Sequence, residues 1–503
     1  MEKQLKKRGF LLYCFAIAAV YLLICSKSSP LYPMNDWVDV NCFFTMGRSL
    51  LDGLVPYRDL YEQKGPVLYF VYALLALFSR DSYFFVYLLE VVTYGLFLYF
   101  SGQIAGLYLK DRLTVWLLVT IQGSLIVISR AFAHGASVEE MCLFMSAYGL
   151  YVALRAMQEG RTLTFREACV CGIFSGILLW IKYTMLGLYL GLAIFVIIWY
   201  LGWGFRWKAL LHTIGGFFAG LGMVSAVVFL YFLATGALDD LFTVYFYNNI
   251  FLYAKEPEQS RWLTIWNCLK LTLKNNRCYS LLMLPGLIWA VVRAFRDVRP
   301  LVLLLLSFCG LALGTYWGGW GISYYGLVFA VFSLFGLITI GEVLQRWGFR
   351  LDGSHPAVRV LTMIVAVTAM LDVCLFWGRN LYLLGQEKQT MPQYQFAEII
   401  NETEDATLLN YGFLDGGFYY AADVTPNCRF FCILNVQAPD MWATQRKYVA
   451  EGKVDFVVTR GKPLTEYQVD SSLYECVAED TLYFEGKDRT YYLYRLISAE
   501  GAG

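Results

Sequence analysis

Long apolar segments follow one another along the chain from residue 9 to residue 378. Eleven of these are predicted to be membrane-spanning helices: 9–25, 83–109, 113–129, 141–154, 167–181, 184–204, 209–235, 279–291, 301–316, 324–344 and 360–378. A helix needs about 20 mostly apolar residues to cross a hydrocarbon core of about 30 Å. The pattern therefore predicts a mainly α, polytopic membrane helical bundle with about eleven transmembrane helices.

A further apolar run, 66–79, is short for a crossing and typical of an interfacial or re-entrant segment. The positive-inside rule decides between the two possibilities. If 66–79 does not cross, the segments assigned to the cytoplasm carry 17 Lys and Arg in 50 residues, against 12 in 120 for the outer segments. If it crosses, the Arg-rich loops after residue 110 all fall outside. The charges therefore predict a cytoplasmic N-terminus and an extracytoplasmic C-terminal tail.

Two polar regions interrupt this pattern, the first outer loop 26–82 and the tail 379–503. The tail alternates predicted helices with β-rich runs: 393–401 and 439–451, then 406–411, 454–459 and 491–497. The sequence thus predicts a membrane domain over 1–378 and a small extracytoplasmic α/β domain over 379–503. The amphipathic loop 236–278 is predicted to lie along the membrane surface.

Composition supports a membrane protein. Hydrophobic residues make up 58% of the 503 residues and charged residues 16%, whereas soluble domains have about 45–50% and about 25%. A net charge of +1 provides no basic surface for nucleic acid. The 13 cysteines form no zinc-binding pattern, and a disulfide among Cys428, Cys432 and Cys476 is left open.

The first outer loop concentrates ionisable side chains next to the membrane: Asp36, Asp39, Arg48, Asp52, Arg58, Asp59, Glu62 and Lys64. The spacing after Asp39 predicts a short helix with Phe43, Met46 and Leu50 on one face. Asp39 would then lie near its N-terminal end, either as a cap or as a presented carboxylate. Spacing alone leaves open a solvated loop whose acids only cap helices.

The order of motifs in the first outer loop is more informative about a protein family than the number of ionisable residues in it. An acid and a helix are followed by Gly-x-x-Pro-Tyr-Arg-Asp (53–59), then Lys-Gly-Pro (64–66) and an apolar run. This order resembles the first outer loop of GT-C membrane glycosyltransferases, including protein O-mannosyltransferase-like and aminoarabinose-transferase-like enzymes. Those enzymes carry His-Pro-Pro or Lys-Pro-Pro where this chain has Lys64-Gly65-Pro66, so Gly65 replaces the first of the two prolines.

The resemblance implies a GT-C fold and an inverting hexosyl- or pentosyltransferase of a bacterial cell membrane. Its donor would be a sugar on polyprenyl phosphate, and its acceptor an extracytoplasmic glycan, lipid or protein. By position, Asp39 would be the catalytic base and Lys64 the ligand of the donor phosphate, with Arg58 second. Arg58 and Asp59 are expected to pair with each other, and Asp59 and Glu62 are candidates for a second acid or an acceptor ligand.

The second outer loop, 130–140, supplies further candidates. Members of the family place an acid here, so Glu139 or Glu140 could orient the acceptor or bind a divalent cation. Adjacent helical residues point about 100° apart, so only one of them is expected to face the site. Both could instead be acids favoured at a helix start. His134 is a candidate metal ligand or a polar loop residue.

Three other groups stand at or near membrane depth. Tyr324 and Tyr325 resemble the His/Tyr-Tyr element that some family members place near the lipid-linked donor, and they also suit the membrane interface. Lys182, at the outer end of its predicted span, is a candidate second phosphate ligand. Glu90 is a rare ionisable residue within a span and therefore a candidate functional position.

Two other functions remain open on the sequence. A lipid or solute transporter or flippase would place ionisable groups near mid-span and often contains inverted repeats. Here polar residues concentrate in the outer loops, and no repeat is visible. A polysaccharide polymerase or ligase would depend on arginines in a large late loop, but 236–278 holds only Arg261 and Arg277.

Overall fold

The computed structural model describes residues 2–204, 206–253, 260–351, 354–484 and 486–497, and it is mostly helical. The first half of the chain forms nine α-helices: α1 (Glu2–Cys25), α2 (Val38–Leu51), α3 (Pro66–Ala76), α4 (Phe84–Tyr108), α5 (Arg112–Val127), α6 (Val138–Met141), α7 (Leu143–Gln158), α8 (Phe165–Lys182) and α9 (Gly187–Gly202). Short 3₁₀ helices follow α5 and α8, at Arg130–Phe132 and Tyr183–Leu186.

The second half begins with α10 (Trp207–Ala234), α11 (Leu238–Asp240), a π-helix (Leu241–Leu252), α12 (Arg261–Asn275), α13 (Arg277–Ser280), α14 (Met283–Ala294) and α15 (Arg299–Tyr316). A 3₁₀ helix (Ser323–Phe332) then leads into α16 (Ser333–Arg346) and α17 (Pro356–Trp377). Helices therefore occupy much of the predicted surface loop 236–278, of which 254–259 lies outside the described residues.

The tail contains α18 (Pro392–Ile400), β1 (Leu408–Asn410), α19 (Phe418–Ala422), α20 (Met441–Ala450), β2 (Phe456–Arg460), β3 (Tyr474–Phe484) and β4 (Lys487–Leu496), with 3₁₀ turns at Leu381–Leu383, Lys388–Thr390 and Leu464–Glu466. The sheet order is β1-β2-β4-β3. β1 and β2 are parallel, and the other neighbours are antiparallel. The predicted α/β tail is confirmed, although the sequence analysis missed β3, a strand rich in acidic residues.

Eight helical segments among the described residues are long and apolar enough to cross a membrane: Arg8–Cys25, Phe84–Tyr108, Phe165–Gly202, Trp207–Ala234, Arg277–Ala294, Arg299–Tyr316, Ser323–Arg346 and Pro356–Trp377. The 38-residue segment Phe165–Gly202 contains two predicted spans, α8 and α9, with a 3₁₀ turn between them. Each of the eleven predicted runs coincides with helical structure. The protein is a multi-pass helical membrane protein.

The ambiguous run forms the eleven-residue helix α3. At 1.5 Å per residue it is about 16 Å long, roughly half of a hydrocarbon core. Leu74, Leu77 and Phe78, at its end, are exposed. These features support the prediction that 66–79 lies along the membrane and does not cross it.

The topology prediction can be checked with fusion proteins. A reporter that is active only in the cytoplasm should be silent when it is fused after Ile497, because the charge count places the tail outside. The same reporter inserted after Gly160, in a predicted cytoplasmic loop, should be active. Activity of the fusion after Ile497 would place the tail in the cytoplasm, so that either the number of crossings is even or the whole orientation is reversed, and the topology prediction would be wrong.

The chain divides into two compact units, and each has contributions from three segments. One comprises 1–31, 86–227 and 255–384, and the other comprises 32–85, 228–254 and 385–503. The predicted boundary at 378/379 lies close to the observed break at 384/385. The first outer loop, which the sequence analysis grouped with the membrane domain, instead folds mostly with the tail, because its side chains have their partners there.

Candidate functional site

Asp39 is the second residue of α2 and is half-buried. Trp37 occupies the N-cap position without a capping side chain, and its backbone N–H donates to Asn35 Oδ1 at 3.0 Å. The expectation that Asp39 caps the helix is therefore wrong. Its carboxylate lies in the first turn, where the helix dipole favours negative charge. The alternative expectation, that Asp39 is a presented carboxylate, stays a prediction.

The predicted phosphate ligand, Lys64, packs against α2. Lys64 Nζ is 5.7 Å from the centroid of the Phe43 ring. Phe43 follows Asp39 by four residues and therefore shares its face of α2. Lys64 is only 9% exposed. The main roles that the resemblance gave to Asp39 and Lys64 stay predictions.

The turn that carries Lys64 is held by its backbone. The backbone N–H of Lys64 donates to Glu62 Oε2 at 2.7 Å, and the hydroxyl of Tyr69 donates to the same carboxylate. The carbonyl of Lys64 accepts from the hydroxyls of Tyr57 at 2.6 Å and Tyr69 at 2.9 Å. Glu62 is buried and its carboxylate holds this turn in place. Its role as a second acid stays a prediction.

Arg58 and Asp59 form the expected ion pair. The guanidinium donates to both carboxylate oxygens, at 2.8 and 2.9 Å, and also to the Thr235 carbonyl at 2.9 Å. Asp59 accepts from the backbone N–H of Val55 as well, at 2.7 Å. The Arg58 guanidinium holds the pKa of the Asp59 carboxyl below its usual range. Both side chains are thus engaged in the turn, and phosphate binding by Arg58 stays a prediction.

Residues of the tail hold α2 from the side, and the sequence analysis missed them. The buried carboxylate of Asp415 accepts from Thr45 Oγ1 at 2.6 Å and from the backbone N–H of Gly417 at 2.9 Å. Arg48 forms an ion pair with Asp423. Asp415 lies within the glycine-rich segment Gly412–Gly417. Thr45 and Asp415 are 370 residues apart, so no local pattern connects them.

Asp415 should make the stability of this unit depend on pH. Burial raises the pKa of the Asp415 carboxyl from 3.8 to about 6. Because the native pKa lies above the unfolded one, the stabilisation is complete below about pH 4 and is lost as the pH rises through 6. The difference corresponds to about 3 kcal/mol. Thermal unfolding in detergent should therefore show a higher midpoint at pH 4.5 than at pH 7.5.

The matched variant is Asp415→Asn, which has the shape of the protonated acid. Its amide oxygen can accept from Gly417, and its amide nitrogen can donate to Thr45. We expect it to fold and to lose this part of the pH dependence. An equal shift of the unfolding midpoint with pH in wild type and variant would assign the effect to other groups.

A second cluster, in the other unit, surrounds Lys182, the last residue of α8. Its Nζ lies 2.5 Å from Glu139 Oε1 and 3.6 Å from the centroid of the Tyr325 ring, with the Tyr324 ring at 5.6 Å. Glu139 is 2% exposed. A cation is attracted to the face of an aromatic ring, most strongly where water is excluded. Four of the predicted residues therefore form one cluster.

Glu140 points away from this cluster and towards Glu90, and both carboxyls are fully buried. Glu90 accepts from Ser26 Oγ at 2.8 Å and from the backbone N–H of Ala136 at 2.7 Å. Burial, followed by the nearby Glu90 carboxyl, raises the pKa of Glu140. Adjacent glutamates thus have different environments, as the 100° spacing predicts, and Glu139 is the one that meets a cation.

His134 packs its ring edge-on against Tyr324, with centroids 5.9 Å apart. Burial, together with the charge of Lys27, lowers the pKa of His134 to about 3, so its imidazole is neutral. Across the described part of the chain, no three His, Cys, Asp or Glu side chains converge on a point where a metal ion could bind. A divalent cation bound by His134 or Glu139 stays a prediction.

An apolar groove of about 560 Å³ lies in the same unit as the Lys182 cluster. Leucine and phenylalanine side chains of α14, α15 and α16 line most of it, and Lys274 and Arg277 also belong to its lining. Phe332 also lines it, and Phe332 ends the 3₁₀ helix that carries Tyr324 and Tyr325. One element therefore connects the groove with the Lys182 cluster.

Two solved structures are similar to the whole chain. ArnT from Cupriavidus metallidurans bound to undecaprenyl phosphate is 13% identical, with a TM-score of 0.57 over 96% of this chain and 97% of that one. The apo state of the same protein is 14% identical, with a TM-score of 0.59 over 97% and 98%. No protein-family sequence model matches, and no curated protein matches.

The chain has the GT-C glycosyltransferase fold. ArnT is an aminoarabinose transferase, a class that the resemblance of the first outer loop had indicated. At such low identity the likeness establishes the fold, which is preserved over the membrane helices and the tail. The GT-C fold and the mainly helical architecture expected from the sequence are confirmed.

Proposed function

We propose that this protein is a membrane glycosyltransferase that transfers a sugar from a polyprenyl-phosphate donor to an extracytoplasmic glycan, lipid or protein. The observation that carries the proposal is the buried cation of Lys64, whose Nζ lies 5.7 Å from the ring centroid of Phe43, on the face of α2 that also carries Asp39. A carboxylate and a buried cation are the two groups that this reaction needs. The GT-C fold adds support, because one similar ArnT structure holds undecaprenyl phosphate.

Asp39 acts as the general base. A hydroxyl oxygen of the acceptor attacks the anomeric carbon of the sugar while the bond from that carbon to the phosphate oxygen breaks. The hydroxyl proton passes to the Asp39 carboxylate, and the bonding electrons leave with the phosphate. Attack from the side opposite to the leaving group inverts the anomeric configuration.

Lys64 stabilises the leaving phosphate. Negative charge increases on the phosphate oxygen as the bond breaks, and a fixed cation lowers the energy of that state. Lys64 suits this part because a cation acts more strongly where water is largely excluded. Lys182 is the alternative ligand, but its ammonium group is already paired with Glu139, so a phosphate would have to compete with that carboxylate.

The groove supports a lipid-linked donor. Its walls of leucine and phenylalanine side chains suit an isoprenoid chain. Tyr324 and Tyr325 offer aromatic faces of the kind on which sugar rings stack. These features favour a lipid-linked sugar as the donor over a soluble nucleotide sugar.

The test is a transfer assay with purified protein in detergent and a panel of synthetic polyprenyl-phosphate sugars that carry a radiolabel. Wild-type protein should consume at least one donor of the panel, and mass spectrometry should detect polyprenyl phosphate that co-purifies with it. If no donor is consumed while the protein moves labelled lipid across vesicles, the protein is a transporter and the proposal is wrong.

A further inference from the structure

A polar cavity lies where five helices of one unit begin or end. Its lining contains neither Asp39 nor any residue of the Lys182 cluster. It has a volume of about 520 Å³. Tyr108 ends α4, Gln158 ends α7 and Arg346 ends α16, while Arg293 lies in the last turn of α14 and Pro300 in the first turn of α15. These ends adjoin the segments 155–166, 292–299 and 345–359, which the charge count assigns to the cytoplasm. The cavity therefore lies at a membrane–water boundary.

One arginine of this cavity, Arg293, already has an acidic partner and two aromatic neighbours. The Arg293 guanidinium forms an ion pair with Glu342 and lies 4.7 Å from the ring centroids of both Tyr108 and Trp289. The indole N–H of Trp289 donates to the same Glu342 oxygen at 3.2 Å. Glu342 therefore already accepts hydrogen bonds from two donors. The other acid of the lining, Asp297, is paired with Arg299.

Two arginines of the lining have no acidic partner among the residues that the structure describes. Arg296 lies beyond the end of α14 and Arg346 is the last residue of α16, and both are exposed. Neither forms an ion pair or a side-chain hydrogen bond with any residue that the structure describes. Since both acids of the lining have other partners, two guanidinium groups are available to an anion at the mouth of the cavity.

The surroundings of these arginines are apolar. Ile288 and Val292 line the cavity and are 55% and 58% exposed, and Phe295, next to Arg296, is 88% exposed. On a membrane helix, such side chains face lipid. An occupant that combines a phosphate with acyl chains would satisfy the arginines and cover these residues together. A free phosphate or a nucleotide would cover only the polar part.

We propose that this cavity binds the phosphate headgroup of an anionic phospholipid, with Arg296 and Arg346 as its ligands. Guanidinium groups bind phosphate through paired, charge-assisted hydrogen bonds. Basic pockets between membrane helices are suited to anionic headgroups. Lipid in the cavity would link the ends of α14 and α16. The proposal depends on neither the transfer reaction nor its donor.

The test is native mass spectrometry of the full-length protein, delipidated in detergent and titrated with phosphatidylglycerol or with phosphatidylcholine. Wild-type protein should retain phosphatidylglycerol in preference to phosphatidylcholine. The double variant Arg296→Gln, Arg346→Gln should bind the anionic lipid about thirtyfold more weakly, since each arginine near a headgroup contributes about one factor of five. Equal affinity of wild type and variant for phosphatidylglycerol would overturn the proposal.

The matched control is Arg206→Gln, Arg350→Gln, which removes two exposed arginines from the same predicted side without touching the cavity lining. It should bind phosphatidylglycerol as wild type does. An equal loss in the control would mean that overall charge, and not this cavity, attracts the lipid. A competition experiment with inorganic phosphate completes the test. Displacement of the lipid by millimolar phosphate would show that the cavity binds a free anion and would overturn the lipid assignment.

Discussion

Replacing Asp39 by asparagine is expected to slow sugar transfer by about 10²–10⁴-fold, the usual contribution of a general base. Asparagine keeps the size of the side chain and can accept a hydrogen bond, but it cannot take the acceptor proton. The structural cost should be small, because Asp39 is not the N-cap of α2 and gains only about 0.3–1 kcal/mol from the helix dipole. Initial rates with labelled donor, together with thermal unfolding midpoints, separate the two effects.

Asp52→Asn is the matched control. Asp52 follows α2, is exposed, and pairs with Arg80 and Thr425 at the surface, so its replacement should leave the rate nearly unchanged. Asp36 is less suitable as a control, because it is buried and its replacement could disturb folding. If Asp39→Asn transfers sugar at a normal rate while Glu139→Gln abolishes transfer, the base is assigned to the wrong residue although the enzyme class holds.

Replacing Lys64 by methionine is expected to weaken donor binding and transfer together by about tenfold to a hundredfold. This range corresponds to one charge-assisted contact, worth about 1.5–3 kcal/mol. The turn should survive, because Glu62, Tyr57 and Tyr69 hold it through the backbone of Lys64. Methionine also retains most of the apolar stem. The measurements are donor affinity by titration and turnover by labelled transfer.

Lys182→Met is the comparison that identifies the phosphate ligand. If Lys64 balances the phosphate, donor affinity should fall more in Lys64→Met than in Lys182→Met. The reverse order would assign the phosphate to the cluster of Lys182, Glu139 and Tyr325. Unchanged affinity and turnover in Lys64→Met would leave Lys64 as a side chain that merely anchors the loop at the membrane interface.

The sequence by itself determined the features that depend on local spacing and composition. Apolar runs about as long as a membrane is thick predicted where helices form, because a backbone in lipid must satisfy its hydrogen bonds internally. Alternating and periodic patterns predicted most of the tail. The order of an acid, a helix and the segments 53–59 and 64–66 pointed to the GT-C fold, which the ArnT comparison supports over the whole chain.

The tertiary structure decided which polar groups meet. Glu139 and Glu140 are neighbours in sequence, yet one meets Lys182 and the other Glu90. The grouping of the first outer loop with the tail depends on Thr45 and Asp415, which lie 370 residues apart. Such contacts form because buried polar groups need hydrogen-bond partners, and the fold decides which groups come within reach. Spacing along the sequence cannot predict a partner that lies hundreds of residues away.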